Sequence, residues 1–268
     1  LDTLPKSILY YRQQLQWLGG IGIIVIAIAI LPMLGVGGMQ LYKAETPGPM
    51  KDNKLTPRVT GTAKVLFTIY LVMTIACGIC YWLAGMTPFD ALAHSFSTVA
   101  IGGFSTHDAS MGHFNSPAIL LVACAFMILA GINFGLHYVA YRRLSVLTYW
   151  RDSETRAYLL ILMVGLVVAN LIIWQFYTHS AAVESAYSMS ENAVHHLFQV
   201  VSMATTTGFT STDYSGWPLA AIVFIFLLAF MGACAGSTGG GMKVIRIVLL
   251  FKQGYRELLR LIHPNAVI

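Results

Sequence analysis

Charged residues are scarce in this chain. Only 10% of its 268 residues are Asp, Glu, Lys or Arg, whereas soluble globular domains carry about 25%. The mean hydropathy of +0.70 and the 57% share of apolar residues exclude an ordinary soluble protein. Several continuous apolar runs reach the ~20 residues that a helix needs to cross the hydrocarbon core. The composition therefore predicts an all-α polytopic membrane protein.

Basic residues are absent from two long segments. Neither Lys nor Arg occurs between Gly85 and Pro117 or between Thr178 and Trp217. Most of the 16 basic residues fall in three clusters, which the positive-inside rule assigns to the cytoplasm. The clusters are Lys43, Lys51, Lys54, Arg58 and Lys64; Arg142, Arg143, Arg151 and Arg156; and Lys243, Arg246, Lys252, Arg256 and Arg260. We interpret the net charge of +5 as a topology signal, not as a nucleic-acid surface.

Cysteine is also sparse, and metal-ligand spacing is lacking. All four cysteines fall in predicted spans, so Cys77 and Cys80 are interpreted as two small buried residues. The eight histidines have no dependable ligand spacing, and the adjacent His195 and His196 point to different faces of a helix. These patterns argue against a metal site. No proton-relay acid is expected within the spans, which argues against a coupled carrier.

Two stretches repeat one pattern at a constant offset of 105 residues: Ser97–Asp108 and Ser202–Asp213. Each contains small or hydroxyl-bearing residues, Gly-Phe, a Ser/Thr pair and Asp, and each lies between two apolar segments. Extended glycine-bearing backbone near an axis lets carbonyl oxygens replace the hydration shell of an ion. The repeat therefore predicts a channel-type cation permease with both motifs facing outside. Phe104 and Phe209 are expected to pack behind this filter.

The spans repeat as a unit of span, half-helix, glycine loop and span. Segments 89–100 and 193–204 are too short to cross the membrane, so each is predicted as a re-entrant half-helix. Full spans are predicted at 17–39, 65–84, 117–141 and 158–177, and a fifth begins at Trp217. The resulting divisions are 1–42, the closing helix of an incomplete first pore unit; 43–64, a cytoplasmic linker; 65–141, a second pore unit; 142–157, a cytoplasmic linker; and 158–268, a third pore unit with a broken last span and a basic cytoplasmic tail.

The fifth span contains a run of glycines. Gly232–Gly241 places five glycines, with Ser and Thr, where the middle of a helix should be. Each glycine costs a helix about 1 kcal/mol relative to alanine, so a regular helix is not expected here. Unwound backbone at membrane depth is tolerated where it is buried or lines a water-filled cavity. The pattern predicts a flexible loop below the filter that acts as a gate.

Other function classes fit the sequence less well. Gly236–Gly241 has the glycine spacing of a phosphate-binding loop, but Met242 stands where that loop requires Lys, and Val244 replaces its Ser or Thr. We therefore expect no enzyme. A sodium- or proton-coupled cation carrier is the alternative, although the repeats run in the same orientation and are not inverted.

Four polar residues have two open interpretations each. Asp108 and Asp213 either attract cations at the pore mouth or form exposed turns. Asn133 and His137, one turn apart in the predicted third span, either line the pore or form hydrogen bonds between helices. The sequence does not decide between these interpretations.

Three motifs occur together in this chain: Ala100–Thr106, Thr205–Thr210, and Gly236–Gly241 followed by Lys243. With Gln13–Gly20 they resemble the Trk/Ktr/HKT potassium transporter superfamily, most closely its bacterial TrkH branch. The resemblance implies potassium uptake through one channel-like pore built from four span–loop–span units. The implied filter residues, which act through their backbone carbonyls, are Ala100, Ile101, Gly102, Gly103, Thr205, Thr206, Thr207 and Gly208. The implied gate loop, which obstructs the pore, is Gly236, Ser237, Thr238, Gly239, Gly240 and Gly241.

The resemblance also implies a cargo, partners and a location. Potassium is the transported ion, and no covalent cofactor is expected. The implied partners are a cytosolic nucleotide-binding regulatory ring of the TrkA type, a second copy of the chain in a homodimer, and membrane lipid, but no nucleic acid. The implied location is the bacterial cytoplasmic (inner) membrane, with the basic loops inside. The first filter loop and the fourth unit are not found, so we expect the sequence to be part of a longer transporter.

Overall fold

The computed structural model describes residues 1–25, 59–179 and 189–262, and every regular element in them is helical. In chain order the helices are α1 Lys6–Val25, α2 Val59–Leu83, α3 Pro88–Val99, a 3₁₀-helix Ser110–Phe114, α4 Pro117–Ala130, α5 Phe134–Arg143, α6 Leu147–Arg151, α7 Ser153–His179, α8 Met189–Ala204, α9 Leu219–Met231 and α10 Val244–Ile262. The predicted all-α class is confirmed.

Two helices of the described residues are long and apolar enough to cross a membrane: Lys64–Leu83 within α2 and Ser153–Phe176 within α7. The bent pair α4 and α5 gives a third crossing if it counts as one span, and α9 is a shorter apolar helix. Large apolar side chains such as Ile75, Trp82 and Met163 are more than half exposed, as expected for a surface that faces lipid. The chain is a polytopic membrane protein.

Two short helices, α3 and α8, lie where the half-helices are predicted. The Thr87 hydroxyl accepts the Asp90 N–H at 3.2 Å and Pro88 occupies the first helical position, both of which favour a helix start. With 12 residues, α3 is about 18 Å long and cannot cross a ~30 Å hydrocarbon core. Helix α3 packs against α1, α2 and α4, whereas α8 packs against α4, α7 and α9. Helix α4 therefore contacts both half-helices.

The predicted span over 117–141 is not one straight helix. Helices α4 and α5 are bent by 93° at a break formed by Gly131, Ile132 and Asn133. The Asn133 side chain accepts the Gly135 N–H at 2.7 Å and so starts a new helix. A Cβ on Gly131 would lie 2.3 Å from the Tyr158 hydroxyl, so α4 ends where only glycine fits against α7.

The break leaves backbone groups that a continuous helix would satisfy. The Gly131 carbonyl accepts the Cys234 N–H at 2.9 Å, and the Phe134 N–H donates to the Gly236 carbonyl at 3.0 Å. Cys234 and Gly236 lie in the glycine-rich break between α9 and α10. The two broken helices thus pair their free backbone groups with each other.

Two more boundaries differ from the predicted ones. Helix α2 begins inside the predicted linker 43–64, and α7 begins inside the predicted linker 142–157, which also contains α6. At the start of α7 the Asp152 carboxylate accepts the Thr155 N–H at 2.7 Å, a cap that hydropathy does not reveal. The predicted span 17–39 is described as far as Val25, and its remainder lies outside the described residues.

Two apolar clusters hold the helices together. One cluster joins α2, α3, α4 and α8 and contains the fully buried aromatic residues Tyr70, Tyr81 and Phe198. The other joins α7 to α8, α9 and α10 and contains Tyr158 and Val200. Because α8 contributes Phe198 to one cluster and Val200 to the other, packing links the two predicted pore units.

We expect Asn133→Ala to lower the free energy of unfolding by about 1 kcal/mol, the usual loss for a helix N-cap, because the Gly135 N–H loses its acceptor. Thermal unfolding of the purified protein in detergent measures the effect. Gln253→Ala, on an exposed part of α10, is the control and should change stability by less than ~0.5 kcal/mol. Equal melting temperatures for Asn133→Ala and wild type would contradict the role of Asn133.

Candidate pore site

The two predicted filter loops follow α3 and α8 and share one pattern of backbone hydrogen bonds. Three N–H groups in each loop donate to carbonyls of the preceding half-helix, and the two sets differ by 105 in residue number. The bonds are Ala100 to Phe96, Ile101 to Thr98 and Gly102 to Ser97 in the first loop, and Thr205 to Val201, Thr206 to Met203 and Thr207 to Ser202 in the second. The sequence repeat is therefore a structural repeat.

Left-handed backbone occurs at matched positions of the two loops. Ile101 and Thr206 have φ angles of 53° and 67°, and Gly103 and Gly208 have φ angles of 76° and 84°. The left-handed region costs a residue other than glycine about 1–2 kcal/mol, and such strain clusters at ligand clamps and active sites. Matched strain at matched positions indicates that both loops are shaped for one task.

The two loops are in direct contact. A Cβ added to Gly103 would lie 1.9 Å from the carbonyl oxygen of Thr207 and 3.1 Å from the carbonyl carbon of Gly208. The backbone of the first loop therefore touches the backbone of the second, as the matched motifs predict. The C-terminal ends of α3 and α8, which carry partial negative charge, point into these loops and so lie near the same place.

The glycine-rich break between α9 and α10 is a closed loop. Met242 N–H donates to the Phe230 carbonyl at 3.0 Å, so the two ends of the loop meet. A Cβ on Gly232 would lie 2.4 Å from the Gly240 carbonyl oxygen, and Gly232 and Gly241 have φ angles of 66° and 72°. The chain can close this tightly only because glycine occupies both positions.

This loop contacts the last residue of the first half-helix and the second filter loop. The Thr238 hydroxyl donates to the Val99 carbonyl at 2.9 Å, and the Gly240 N–H donates to the Thr206 hydroxyl at 2.8 Å. The buried Lys243 ammonium donates to the Gly239 carbonyl. The predicted gate loop is thus hydrogen-bonded at the C-terminal ends of both half-helices. A loop in this position would obstruct an ion that passes between the two half-helices.

A buried carboxylate, Glu154, lies beside the loop and was missed by the sequence analysis. Glu154 Oε1 accepts the Ala235 N–H at 2.6 Å and the Ile245 N–H at 3.3 Å. Glu154 belongs to the span Ser153–Phe176, which begins five residues before the predicted span 158–177. The one available signal was an acid directly before a long apolar run, which resembles the end of a polar linker.

Gln16 of α1 is a second residue that the sequence analysis did not single out. Its amide nitrogen donates to the Gly102 carbonyl at 3.0 Å, and its amide oxygen accepts the Ser97 hydroxyl at 2.7 Å. Gln16 therefore connects the middle of α1 to the half-helix α3 and to its filter loop. The Gly102 carbonyl, one of the predicted filter groups, already has a protein donor.

Hydroxyl groups of the second loop also have protein partners. The Thr205 hydroxyl donates to the Val201 carbonyl at 2.7 Å and lies 2.7 Å from the Thr207 hydroxyl. The Thr206 hydroxyl accepts the Gly240 N–H. These bonds favour backbone carbonyls over threonine hydroxyls as candidate ion ligands.

A matched pair of side-chain bonds closes the outer end of each loop. The Thr106 hydroxyl donates to Asp90 Oδ1 at 2.8 Å, and at an offset of 105 His195 Nδ1 lies 3.0 Å from the Ser211 hydroxyl. Each bond links a half-helix to the segment that follows its filter loop. In the described part of the chain no group of three or more His, Cys, Asp or Glu side chains is arranged to hold a metal ion.

The residues with open interpretations have defined surroundings. The Ser215 N–H donates to Asp213 Oδ1 at 2.9 Å and so lowers the pKa of this exposed carboxyl, as in a turn. His137 bonds the Tyr149 hydroxyl at 2.8 Å and the Leu129 carbonyl at 3.0 Å, so it links helices. Phe209 is buried as expected, but the expectation is wrong for Phe104, which is 47% exposed with the Arg12 guanidinium over its ring.

Comparison with known proteins identifies the family. A family model described as TrkH, cation transport protein, matches residues 1–268. The chain belongs to the TrkH family. The resemblance seen in the sequence motifs is confirmed, and the TrkH family transports cations and is not a family of enzymes.

Individual relatives are similar over the whole chain. The Trk system potassium uptake protein TrkH of Escherichia coli K12 is 55% identical over 267 residues, which are 100% of this chain and 54% of that protein. The TrkG protein of the same strain is 43% identical over 268 residues. The crystal structure of the potassium transporter TrkH from Vibrio parahaemolyticus matches with a TM-score of 0.85 at 50% identity, over 100% of this chain and 53% of that one. The chain spans about half the length of these TrkH relatives.

The two filter glycines of this TrkH-family chain should differ in their tolerance of a side chain. Alanine at either position meets left-handed strain of about 1–2 kcal/mol, but only at Gly103 does its Cβ also collide with backbone, since Gly208 has open space within 4 Å. We expect Gly103→Ala to destabilise the protein by more than ~2 kcal/mol and Gly208→Ala by ~1 kcal/mol, as measured by unfolding in detergent. Gly216→Ala, which also has open space, is the neutral control. A larger loss for Gly208→Ala than for Gly103→Ala would contradict this packing.

Proposed function

We propose that this chain forms two walls and the gate of a potassium-uptake pore. The observation that carries the proposal is the contact between two loops of matched conformation, with a third, glycine-rich loop bonded across them. Cations are bound selectively by rings of backbone carbonyls, and this arrangement brings such groups together from two repeats. The relatives from Escherichia coli are potassium uptake proteins of the Trk system.

The proposed filter consists of backbone carbonyls from both loops. These are the carbonyls of Ala100–Gly103 and of Thr205–Gly208, which replace part of the hydration shell of the potassium ion. The Gly102 carbonyl, which accepts a bond from the Gln16 amide, keeps a second lone pair for the ion. The C-terminal ends of α3 and α8 add partial negative charge that favours a cation. Because the chain spans about half the length of its relatives, the remaining walls are expected from sequence outside it.

The proposed gate is Gly236–Gly241. Its glycines permit movement of the backbone, and its bonds to Val99 and Thr206 hold it across the path in the closed state. Opening requires these bonds to break and the loop to leave the space between the half-helices. Local rearrangement of a loop is a common means of gating.

The proposed setting is the bacterial inner membrane, with the filter loops outside and the basic loops in the cytoplasm. The distribution of Lys and Arg supports this orientation. The exposed Arg142, Arg143 and Arg151 lie near the start of α7, whereas the segments 85–117 and 178–217, which contain the filter loops, have no Lys or Arg. The proposed partners are a cytosolic nucleotide-binding regulatory ring of the TrkA type and a second copy of the chain in a homodimer. The basic cytoplasmic face is the surface offered to the ring.

Selectivity tests the filter. In the full-length protein that contains this chain, Gly208→Ser should reduce the preference for potassium over sodium by about tenfold. The left-handed backbone at this position costs serine ~1–2 kcal/mol, and relief of this strain displaces the carbonyls whose geometry sets selectivity. A free-energy difference of about 1.4 kcal/mol corresponds to tenfold. Potassium and sodium fluxes into proteoliposomes measure the preference. Gly216→Ser has equal space and lies outside the motif, so it should behave as wild type. Unchanged preference in a folded Gly208→Ser protein would overturn the filter assignment.

Flux tests the gate. Deletion of residues 237–240 in the full-length protein should raise potassium flux several-fold, because the bonds to Val99 and Thr206 that favour the closed state are lost. The filter residues are unchanged, so the ratio of potassium to sodium flux should stay within about twofold of wild type. The close approach of Gly232 and Gly241 lets the shortened loop still close. Gly254→Ala, in open space on α10, controls for reconstitution. A folded deletion variant with wild-type flux would show that the loop is a structural break and not a gate.

A further inference from the structure

One carboxylate oxygen holds both ends of the glycine-rich loop. Ala235, whose N–H donates to Glu154 Oε1 at 2.6 Å, directly precedes Gly236. Ile245, whose N–H donates to the same oxygen at 3.3 Å, lies in the first turn of α10. A displacement of this oxygen therefore acts on both ends of the loop at once.

The chemistry of the contact favours a carboxylate. A buried charge needs hydrogen-bond donors, and here the donors are two backbone N–H groups that the break in the helix leaves without helical partners. Ile245 is at the N-terminus of α10, where the helix dipole favours a negative charge. The two N–H groups and the Glu154 carboxylate thus satisfy each other's hydrogen-bonding capacity. Within the membrane no water is available to replace either partner.

Glu154 connects the loop to the exposed basic segment. It lies in the first turn of α7, two residues after Asp152, which caps that helix through the Thr155 N–H. The residues just before, including the exposed Arg142, Arg143 and Arg151, belong to the segment proposed to face the cytoplasmic partner. A movement of this segment would displace the start of α7, and the Glu154 side chain would pass that displacement to the loop.

The far side of the loop is held differently. Thr238 bonds the Val99 carbonyl and Gly240 bonds Thr206, so these contacts join the loop to the filter and not to the basic segment. The loop is fixed between a filter side and a Glu154 side. Backbone bonds also join the loop to Gly131 and Phe134, and Glu154 is the side chain that links the loop to the start of α7.

From this geometry we propose that Glu154 is a positioning residue that couples movement of segment 142–157 to the gate loop and holds the loop closed at rest. The proposal rests on the gating function proposed above. Glu154 does not contact the ion, so its replacement should alter the opening of the pore and its response to the cytosolic partner, but not its choice of ion.

The test uses the full-length protein in proteoliposomes, with potassium and sodium fluxes measured with and without the cytosolic regulatory ring. Glu154→Ala removes both bonds and should raise potassium flux without the ring several-fold, and it should reduce the ratio of flux with the ring to flux without it toward one. Glu154→Gln keeps an oxygen that can accept both N–H groups and should show a smaller change in the same direction. Leu160→Ala, at an exposed position of α7, is the control and should behave as wild type.

The outcomes separate the coupling from the gate itself. Wild-type flux and a wild-type response to the ring in folded, inserted Glu154→Ala protein would overturn the coupling role. Lower melting temperature and lower flux with an unchanged response ratio would also overturn it, since a merely structural residue gives that result. If the 237–240 deletion raises flux and Glu154→Ala does not, only the coupling proposal is contradicted. If neither variant changes flux, the proposed gate is contradicted as well.

Discussion

The structure depends on how two broken helices satisfy their backbone groups. Hydrocarbon offers no water to unpaired N–H and C=O groups, so irregular backbone survives at membrane depth only where protein or a water-filled cavity supplies partners. Here the break at Gly131–Asn133 and the break after Met231 supply each other, through Cys234 N–H to Gly131 C=O and Phe134 N–H to Gly236 C=O. This exchange fixes the glycine-rich loop against α4, the helix that also contacts both half-helices.

The part of the architecture that follows from local patterns could be predicted from the sequence. The lengths of the apolar runs identified the half-helices, because 12 residues cannot cross a bilayer. The repeated motif predicted matched loops, and the loops have matched bonds and matched left-handed residues. The glycine content after Met231 predicted a break, since several glycines together do not support a regular helix.

The remaining features depend on contacts between residues far apart in the chain. The break at Gly131 carries a single glycine, and the Tyr158 hydroxyl occupies the place that a side chain at this position would need. Glu154 is buried because the loop of another unit brings two N–H groups to it, which hydropathy cannot reveal. Gln16 likewise meets Gly102 across 86 positions of sequence. Each of these partners becomes visible only when the helices are packed.

The exchange between the two breaks also has a consequence for biosynthesis. The chain is made from its N-terminus, so Gly131 and Phe134 leave the ribosome about 100 residues before Cys234 and Gly236. At ~5–20 residues per second, the usual rate of synthesis, the bent helix waits on the order of 5–20 s for its partner. During that interval its unpaired backbone is stable only in contact with water or with the insertion machinery. One pore unit therefore completes its insertion into lipid only after the glycine-rich loop of the next unit has been synthesised and has bonded to the bend between α4 and α5.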